Sequence, residues 1–395
     1  LTMDFDFNSI FKISLRAMRF NRTHPNIPRD GKWFLQFLVM HGVATFVVYL
    51  VAYSTICHDF KNNNFTQASE NFIIICLYWI VTFCYFMMLW KLDSVRWLID
   101  AAQKDFAAAK YLPAAEQEML MGYALRGRWS CRLWLVISCC VATIFPLRSF
   151  CLMVYYSITD EFRLIPLYEV VYPEFLEKDR ENLLSFVILF ATMLWLCVYA
   201  ASLYVALIPL GHIFMLHACG QIELLINRAG VLFPKINYNS SKAERDLKGI
   251  ARGLQDVYSF VDHVQWSFQL IYELCLKSTT ITMPLLVYEL TKTTKHGEFN
   301  MEFFAITIGS VVLSGVPCFY SDQLMELSYN FRQTLYCSGW ERHWDSRART
   351  ILLMMLVRTG RPAVIRSMFG NMSLRALGNV YHHSYAIYNL LNAMW

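Results

Sequence analysis

The segment Asn379-Val-Tyr-His-His-Ser-Tyr-Ala-Ile-Tyr-Asn-Leu-Leu391 closes an apolar stretch, 369–391, that is long enough to cross a bilayer. It nevertheless carries Asn371, Arg375, Asn379, His382 and His383. Unpaired polar groups in hydrocarbon cost several kcal/mol, so this helix should face protein or water rather than lipid. In an assembly, a water-lined helix is most simply a pore wall. Whether 369–391 spans decides between six crossings and seven.

Upstream, the apolar runs are less ambiguous. Residues 33–57, 71–90, 131–157, 183–210 and 301–321 each exceed the ~20 helical residues that a hydrocarbon core requires. A sixth, 264–290, is apolar except for Glu273 and Lys277. The composition agrees. Of 395 residues, 56% are hydrophobic and 16% charged. Counting Gly in place of Tyr lowers the first figure only to about 55%, against ~45–50% and ~25% in soluble domains. Disorder, collagen and a disulfide scaffold are excluded by the same figures. The 12 cysteines lie mostly inside apolar runs, and a net charge of +5 does not point to nucleic acid. The chain begins at Leu1, so a few residues are expected to precede it. Residues 1–32 carry six Lys/Arg without a short apolar core and cleavage site, which is not a signal-peptide pattern.

Lys and Arg set the expected orientation. Segments 1–32, 91–130, 211–263 and 322–368 hold 6, 6, 6 and 7 of them, whereas 58–70, 158–182 and 291–300 hold 1, 3 and 2. The positive-inside rule then puts the N-terminus in the cytoplasm and the C-terminus outside. The sequon at Asn64 falls in an outer loop and is the glycosylation candidate, while those at Asn21 and Asn239 face the cytoplasm. A G-protein-coupled receptor would have its N-terminus outside. Its usual Asp-Arg-Tyr-like and Asn-Pro-x-x-Tyr motifs are also absent after the third span and within the seventh.

The inner loops predict further helices. Ser241-Lys-Ala-Glu244 reads as a capping box, and Leu247, Ile250, Leu254, Val257, Val261 and Val264 follow at steps of 3 and 4. One helix of roughly 50 residues, about 75 Å long, must project into the cytoplasm. Residues 92–106 extend the second span inward until Pro113. In 345–360, Ile351, Leu352, Met355 and Leu356 form a stripe flanked by Arg347, Arg349 and Arg358. That apolar core is too short to span, and it suits a subunit seam, with packing inside its own subunit as the alternative.

These C-terminal residues resemble the insect odorant receptor family: Trp340, Leu353-Met354-Met355, Arg358, Pro362, Ser373-Leu374-Arg375 and Ser384-Tyr385 before an apolar end. Tyr385-Ala-Ile-Tyr-Asn-Leu-Leu391 lacks the Gln-Phe of the related gustatory receptors. The 211–263 loop is shorter than that of the family's co-receptor. The resemblance implies an all-α membrane protein of seven transmembrane helices, N-terminus cytoplasmic, with cytoplasmic helical anchor extensions. It further implies the odorant-tuned subunit of a heterotetramer with the co-receptor. That assembly is an odorant-gated, non-selective cation channel in the plasma membrane, in the dendrites of olfactory neurons. The expected parts are a cytoplasmic segment 1–32, a six-helix ligand-binding part 33–325, an anchor region 326–366 and a pore helix 367–395. The gate positions fall on Tyr388, Leu391 and Asn392, a departure from the family's aliphatic gate.

Within the outer halves of the spans, helical spacing selects a candidate pocket for a small volatile: Phe72, Ile75 and Trp79; Phe145, Ser149, Leu152 and Tyr156; Phe186 and Phe190; Phe303 and Thr307. A few hydroxyls among aromatics suit a mostly apolar ligand that makes one hydrogen bond. Arg148 should pair with Glu169 or Glu161, and Glu273 with Lys277. His382 and His383 are adjacent and His212 and His217 five apart, which is poor metal-ligand spacing. No His-Glu-x-x-His, phosphate loop or Cys-x-x-Cys occurs. Neither an enzyme nor a cofactor is expected. The remaining alternatives are a transporter built on Arg148, Glu273 and Lys277, and a metabotropic seven-helix receptor.

Overall fold

Apolar runs longer than a bilayer is thick must satisfy their backbone groups internally, and a helix does so within one segment. The computed structural model describes residues 6–62, 64–159, 163–173, 176, 182–233, 239–295, 297, 299–343, 345–368 and 370–394. It contains no strand among them beyond one bridge pair, Arg366 with Asn371. The helices are α1 (Phe7–Ile10), α2 (Lys12–Phe20), α3 (Gly31–Ser54), α4 (Phe65–Trp90), α5 (Leu92–Ala109) and α6 (Ala114–Thr159). They continue as α7 (Leu183–Gly230), α8 (Ser240–Lys295), α9 (Met301–Tyr336), α10 (Ser346–Arg358) and α11 (Leu374–Met394). Six of them, α3, α4, α6, α7, α8 and α9, are long and apolar enough to cross a membrane. The 21 residues of α11 are long enough but more polar.

The long helices exceed the spans read from the sequence. At ~1.5 Å per residue, α6, α7 and α8 run roughly 70–85 Å, more than twice a ~30 Å hydrocarbon core, so each projects well beyond it. Residues 211–230, expected as loop, continue α7 straight through Pro209. Pro146, Pro284 and Pro317 likewise lie inside helices. α8 begins one residue before the expected capping box. Its first turn is capped by Asn239, whose Oδ1 accepts from the Lys242 amide at 3.1 Å.

The centre of the bundle is α7. Every residue from Val205 to Leu216 is buried, so this helix is wrapped on all sides by α2, α3, α6, α8 and α9. We call the bundle's upper end the one bearing the segment 163–173 and its lower end the one bearing α10. At the lower end, Phe7 and Phe11 of the N-terminal helices meet Phe106 of α5 edge-on at 5.8 and 6.2 Å. That packing fixes residues 6–20 against the bundle.

α10 is capped by Asp345, which accepts from the Arg347 and Ala348 amides at 3.1 Å. The stripe expected to form a subunit seam turns inward instead. Leu352 and Met355 are buried in their own subunit, and Ile351 and Leu356 are half-buried. The apolar surface left open is the adjoining face, Leu353, Met354 and Val357.

Candidate functional site

Where α4, α6, α7 and α9 diverge in the upper half of the bundle, they enclose a cavity of about 100 Å³. Its walls are Leu77 and Tyr78 of α4, Trp134 to Phe145 of α6, Leu196 to Tyr204 of α7, and Ile306 to Leu313 of α9. α6 and α9 come into contact at one side, at Gly309. A Cβ there would stand 3.4 Å from Ile137 Cγ2. The Trp134 and Tyr204 rings stack almost parallel, 6.0 Å apart. Their Nε1 and hydroxyl are buried without a partner. No charged side chain lines the cavity.

Tyr168, from the segment 163–173, closes the cavity from above. Its ring packs edge-on against Phe145 at 5.4 Å, and its hydroxyl lies 3.0 Å from Cys197 Sγ. Three further bonds hold the segment down. Ser149 Oγ donates to the Pro166 carbonyl (3.0 Å), Gln67 Nε2 to the Glu169 carbonyl (3.0 Å), and the Val171 amide to Ser54 Oγ (3.0 Å). Arg148 joins Glu169 at 3.3 Å, as expected, and also Glu302 of α9 at 3.2 Å. Glu161 lies outside the described residues. Glu273 and Lys277 stand 3.9 Å apart.

Of the eleven pocket residues expected from the sequence, the cavity takes one, Phe145. Phe72 and Trp79 are exposed, and the lining face of α4 is the neighbouring one, Ile74, Leu77 and Tyr78. Ile75 is half-buried off the cavity. Thr307 commits its hydroxyl to its own helix, bonding the Phe303 carbonyl at 2.7 Å, and Ser149 shares its hydroxyl between the Pro166 carbonyl (3.0 Å) and that of Phe145 (3.3 Å). Leu152 and Tyr156 lie above the site, and Phe303 is buried elsewhere. Phe186 and Phe190 border a separate small hollow with Pro166 and Met193. The lining of this cavity sits one to three helical turns deeper on α6 and α7 than the residues expected from the sequence. Alternation of aromatics and small residues marked it weakly, at Trp134, Ser138 and Ala142.

α11 packs on α8 and α9. Its inner face is Val380, Tyr381, Ser384, Tyr388 and Leu391. Tyr388 stands 3.5 Å from Thr291, and the Tyr381 hydroxyl is 3.3 Å from Ser314 Oγ. The expected gate positions Tyr388 and Leu391 therefore lean on their own bundle, with Asn392 exposed at the flank. The opposite, exposed side presents Arg375, Asn379, His382 and Asn389 in one stripe. His212 bonds Ser130 (3.0 Å) and His217 bonds Asp105 (2.8 Å). Among the described residues no cluster could hold a metal ion.

The long apolar helices and the uncharged cavity between four of them define the class: a polytopic helical membrane protein with a largely apolar internal cavity. The family model described as 7tm Odorant receptor matches residues 64–385, and the chain belongs to that family, which is one of receptors and not of enzymes. Among solved structures it is similar to the insect olfactory receptor OR5 from Machilis hrabei in complex with eugenol. The TM-score is 0.75 at 10% identity, covering 98% of each chain. A second OR5 structure, described without eugenol, gives a TM-score of 0.67 at 10% identity and covers 97% of this chain and 96% of that one. No curated protein matches the sequence.

Proposed function

We propose that this odorant receptor is the ligand-tuned subunit of a heteromeric, odorant-gated, non-selective cation channel of the plasma membrane. Its partners are co-receptor subunits, in a tetramer. The N-terminal segment 1–32 and the anchor region 326–366 face the cytoplasm. Residues 33–325 bind the odorant, and 367–395 line the pore through the Asn379, His382 and Asn389 side of α11.

The supporting observation is the short path from cavity to last helix. Ser310 and Leu313 line the cavity. Ser314, one residue on, bonds the Ser310 carbonyl at 3.0 Å and stands 3.3 Å from the Tyr381 hydroxyl of α11. A ligand that fits better when α9 is displaced biases α11 with it. The shift can be no larger than its differential affinity for the two states. The transporter reading is less favoured, because Arg148 is held by Glu169 and Glu302 and does not join Glu273 and Lys277, which pair with each other.

Whole-cell recording from cells expressing this chain with a co-receptor tests the reading. Eugenol, bound by the Machilis hrabei OR5, belongs in the first panel of volatiles. The expected result is a rapid ligand-evoked cation current that persists when G-proteins are blocked. Saturable ligand uptake without conductance would overturn it in favour of transport.

A further inference from the structure

Serine and threonine hydroxyls on membrane helices ordinarily bond the carbonyl one turn back, and this chain does so repeatedly. On α6, Thr143 bonds the Cys139 carbonyl (2.8 Å) and Thr159 that of Tyr155 (2.8 Å). On α9, Thr307 bonds Phe303 (2.7 Å) and Ser314 bonds Ser310 (3.0 Å). Ser138 of α6 and Ser310 of α9 depart from this habit. Each is 6% exposed, each lines the cavity, and neither hydroxyl has a hydrogen-bond partner among the described residues. Trp134 Nε1 and the Tyr204 hydroxyl are sealed away from any water-sized contact. The two serine hydroxyls are not among the sealed atoms, and the cavity is the space that both residues line. They line the same cavity from two helices, and the residues before them, Ile137 and Gly309, are in contact where α6 and α9 meet.

A buried hydroxyl without a partner is a standing penalty that a ligand can relieve. We infer that Ser138 and Ser310 form the polar anchor of the cavity and select neutral, oxygen-bearing volatiles over hydrocarbons of the same shape. A ketone, ester or ether oxygen has lone pairs to accept from either serine, and an alcohol or phenol can donate as well. The rest of the wall is carbon and ring, and no lining residue is charged. A carboxylate or ammonium would therefore be stripped of water without compensation. At 10–15 Å³ per water-sized centre, 100 Å³ limits the ligand to on the order of ten heavy atoms.

This inference rests on the cavity being the odorant site, and its test separates the two. The receptor, expressed with a co-receptor, is recorded against a broad panel in which each oxygenated volatile is paired with its methylene isostere. The panel includes acetophenone with α-methylstyrene and 2-heptanone with 2-methyl-1-heptene. In the wild type the ketones should act at about three- to tenfold lower concentration than their olefin partners, the worth of one net hydrogen bond. Ser138→Ala with Ser310→Ala should close that gap, read as the ratio of ketone to olefin potency at unchanged surface expression. Ser138→Thr, which keeps the hydroxyl, should retain it. Equal potency of ketone and olefin in the wild type, or a gap that survives in the double alanine variant, overturns the serine anchor and leaves odorant gating intact. A receptor that reaches the surface yet is silent to the whole panel overturns both.

Discussion

At Gly211, in the buried stretch of α7, a Cβ would fall 2.1 Å from the Tyr272 hydroxyl and 3.1 Å from Phe268 Cδ1. The missing side chain is what lets α8 press its aromatic rings against α7. Both rings are buried, at 3% and 1% exposure, so neither can swing out to make room. Gly211→Ala is therefore expected to cost about 1–3 kcal/mol through overpacking, seen as a lower melting temperature of the purified receptor. The Tyr272 hydroxyl has no hydrogen-bond partner. Tyr272→Phe should then be close to neutral or mildly stabilising, and in combination with Gly211→Ala it should recover most of the loss. A double variant as labile as Gly211→Ala alone would shift the blame to Phe268. Legibility at this scale depends on sequence distance. Glu169 was readable as a partner for Arg148 from the next connection. Glu302, 154 residues away, became its partner only through the docking of α9 on α6.

Helices are the scale at which the sequence spoke most clearly, and also the scale at which a single rotation misplaces a site. Length and apolarity identified the six helices that are long and apolar enough to cross a membrane, because backbone satisfaction in lipid leaves such runs no alternative. Periodicity gives a helix a face but does not say which neighbour covers it. On α4 the expected stripe of Phe72 and Trp79 points outward, and the cavity takes the adjoining one. On α10 the same ambiguity separates Leu352 and Met355, buried at home, from Leu353, Met354 and Val357, left open. The two faces predict different phenotypes. Leu352→Ala should cost the folded subunit about 2–5 kcal/mol and lower its melting temperature. Met354→Glu should leave the melt nearly unchanged and weaken assembly, shifting the complex to smaller species in size-exclusion chromatography. If Met354→Glu complexes remain whole, the open face of α10 is not a seam. For α11 the corresponding division is between Asn379, His382 and Asn389 on one side and Tyr388 and Leu391 on the other. Cysteines at the first three should react with thiol reagents and alter the evoked current, and those at the last two should not. Reactivity at 388 and 391 alone would return the pore to the face that the sequence suggested.

Over the whole molecule the orientation rests on charge, and the fold gives that charge an address. The Arg-rich α10 and the N-terminal helices lie at one end of the bundle. Ser14 of α2 bonds the Ala206 carbonyl of α7 at 2.9 Å, and α1 packs against α5. The last turns of α11 lie at the other end, beside Thr291. Placing the basic end in the cytoplasm obeys the positive-inside bias, and an odd number of crossings then puts the C-terminus outside. The sequons differ in what they leave open to a glycan. Asn21 is 2% exposed and sterically barred from carrying a glycan on either side. Asn239 caps α8 at the lower end. Asn64 is exposed at the upper end, capping α4 through its Oδ1 to the Gln67 amide at 3.4 Å, which leaves its Nδ2 available. An epitope at the N-terminus should therefore stain only in permeabilised cells, while one at the C-terminus should stain on intact cells. Any glycan should disappear with Asn64→Gln and not with Asn239→Gln. Staining of the N-terminal epitope on intact cells would place the basic end outside, where no membrane potential or anionic leaflet would hold it. The cavity, closed by Tyr168 at the upper end, would then open toward the cytoplasm instead of toward arriving odorant.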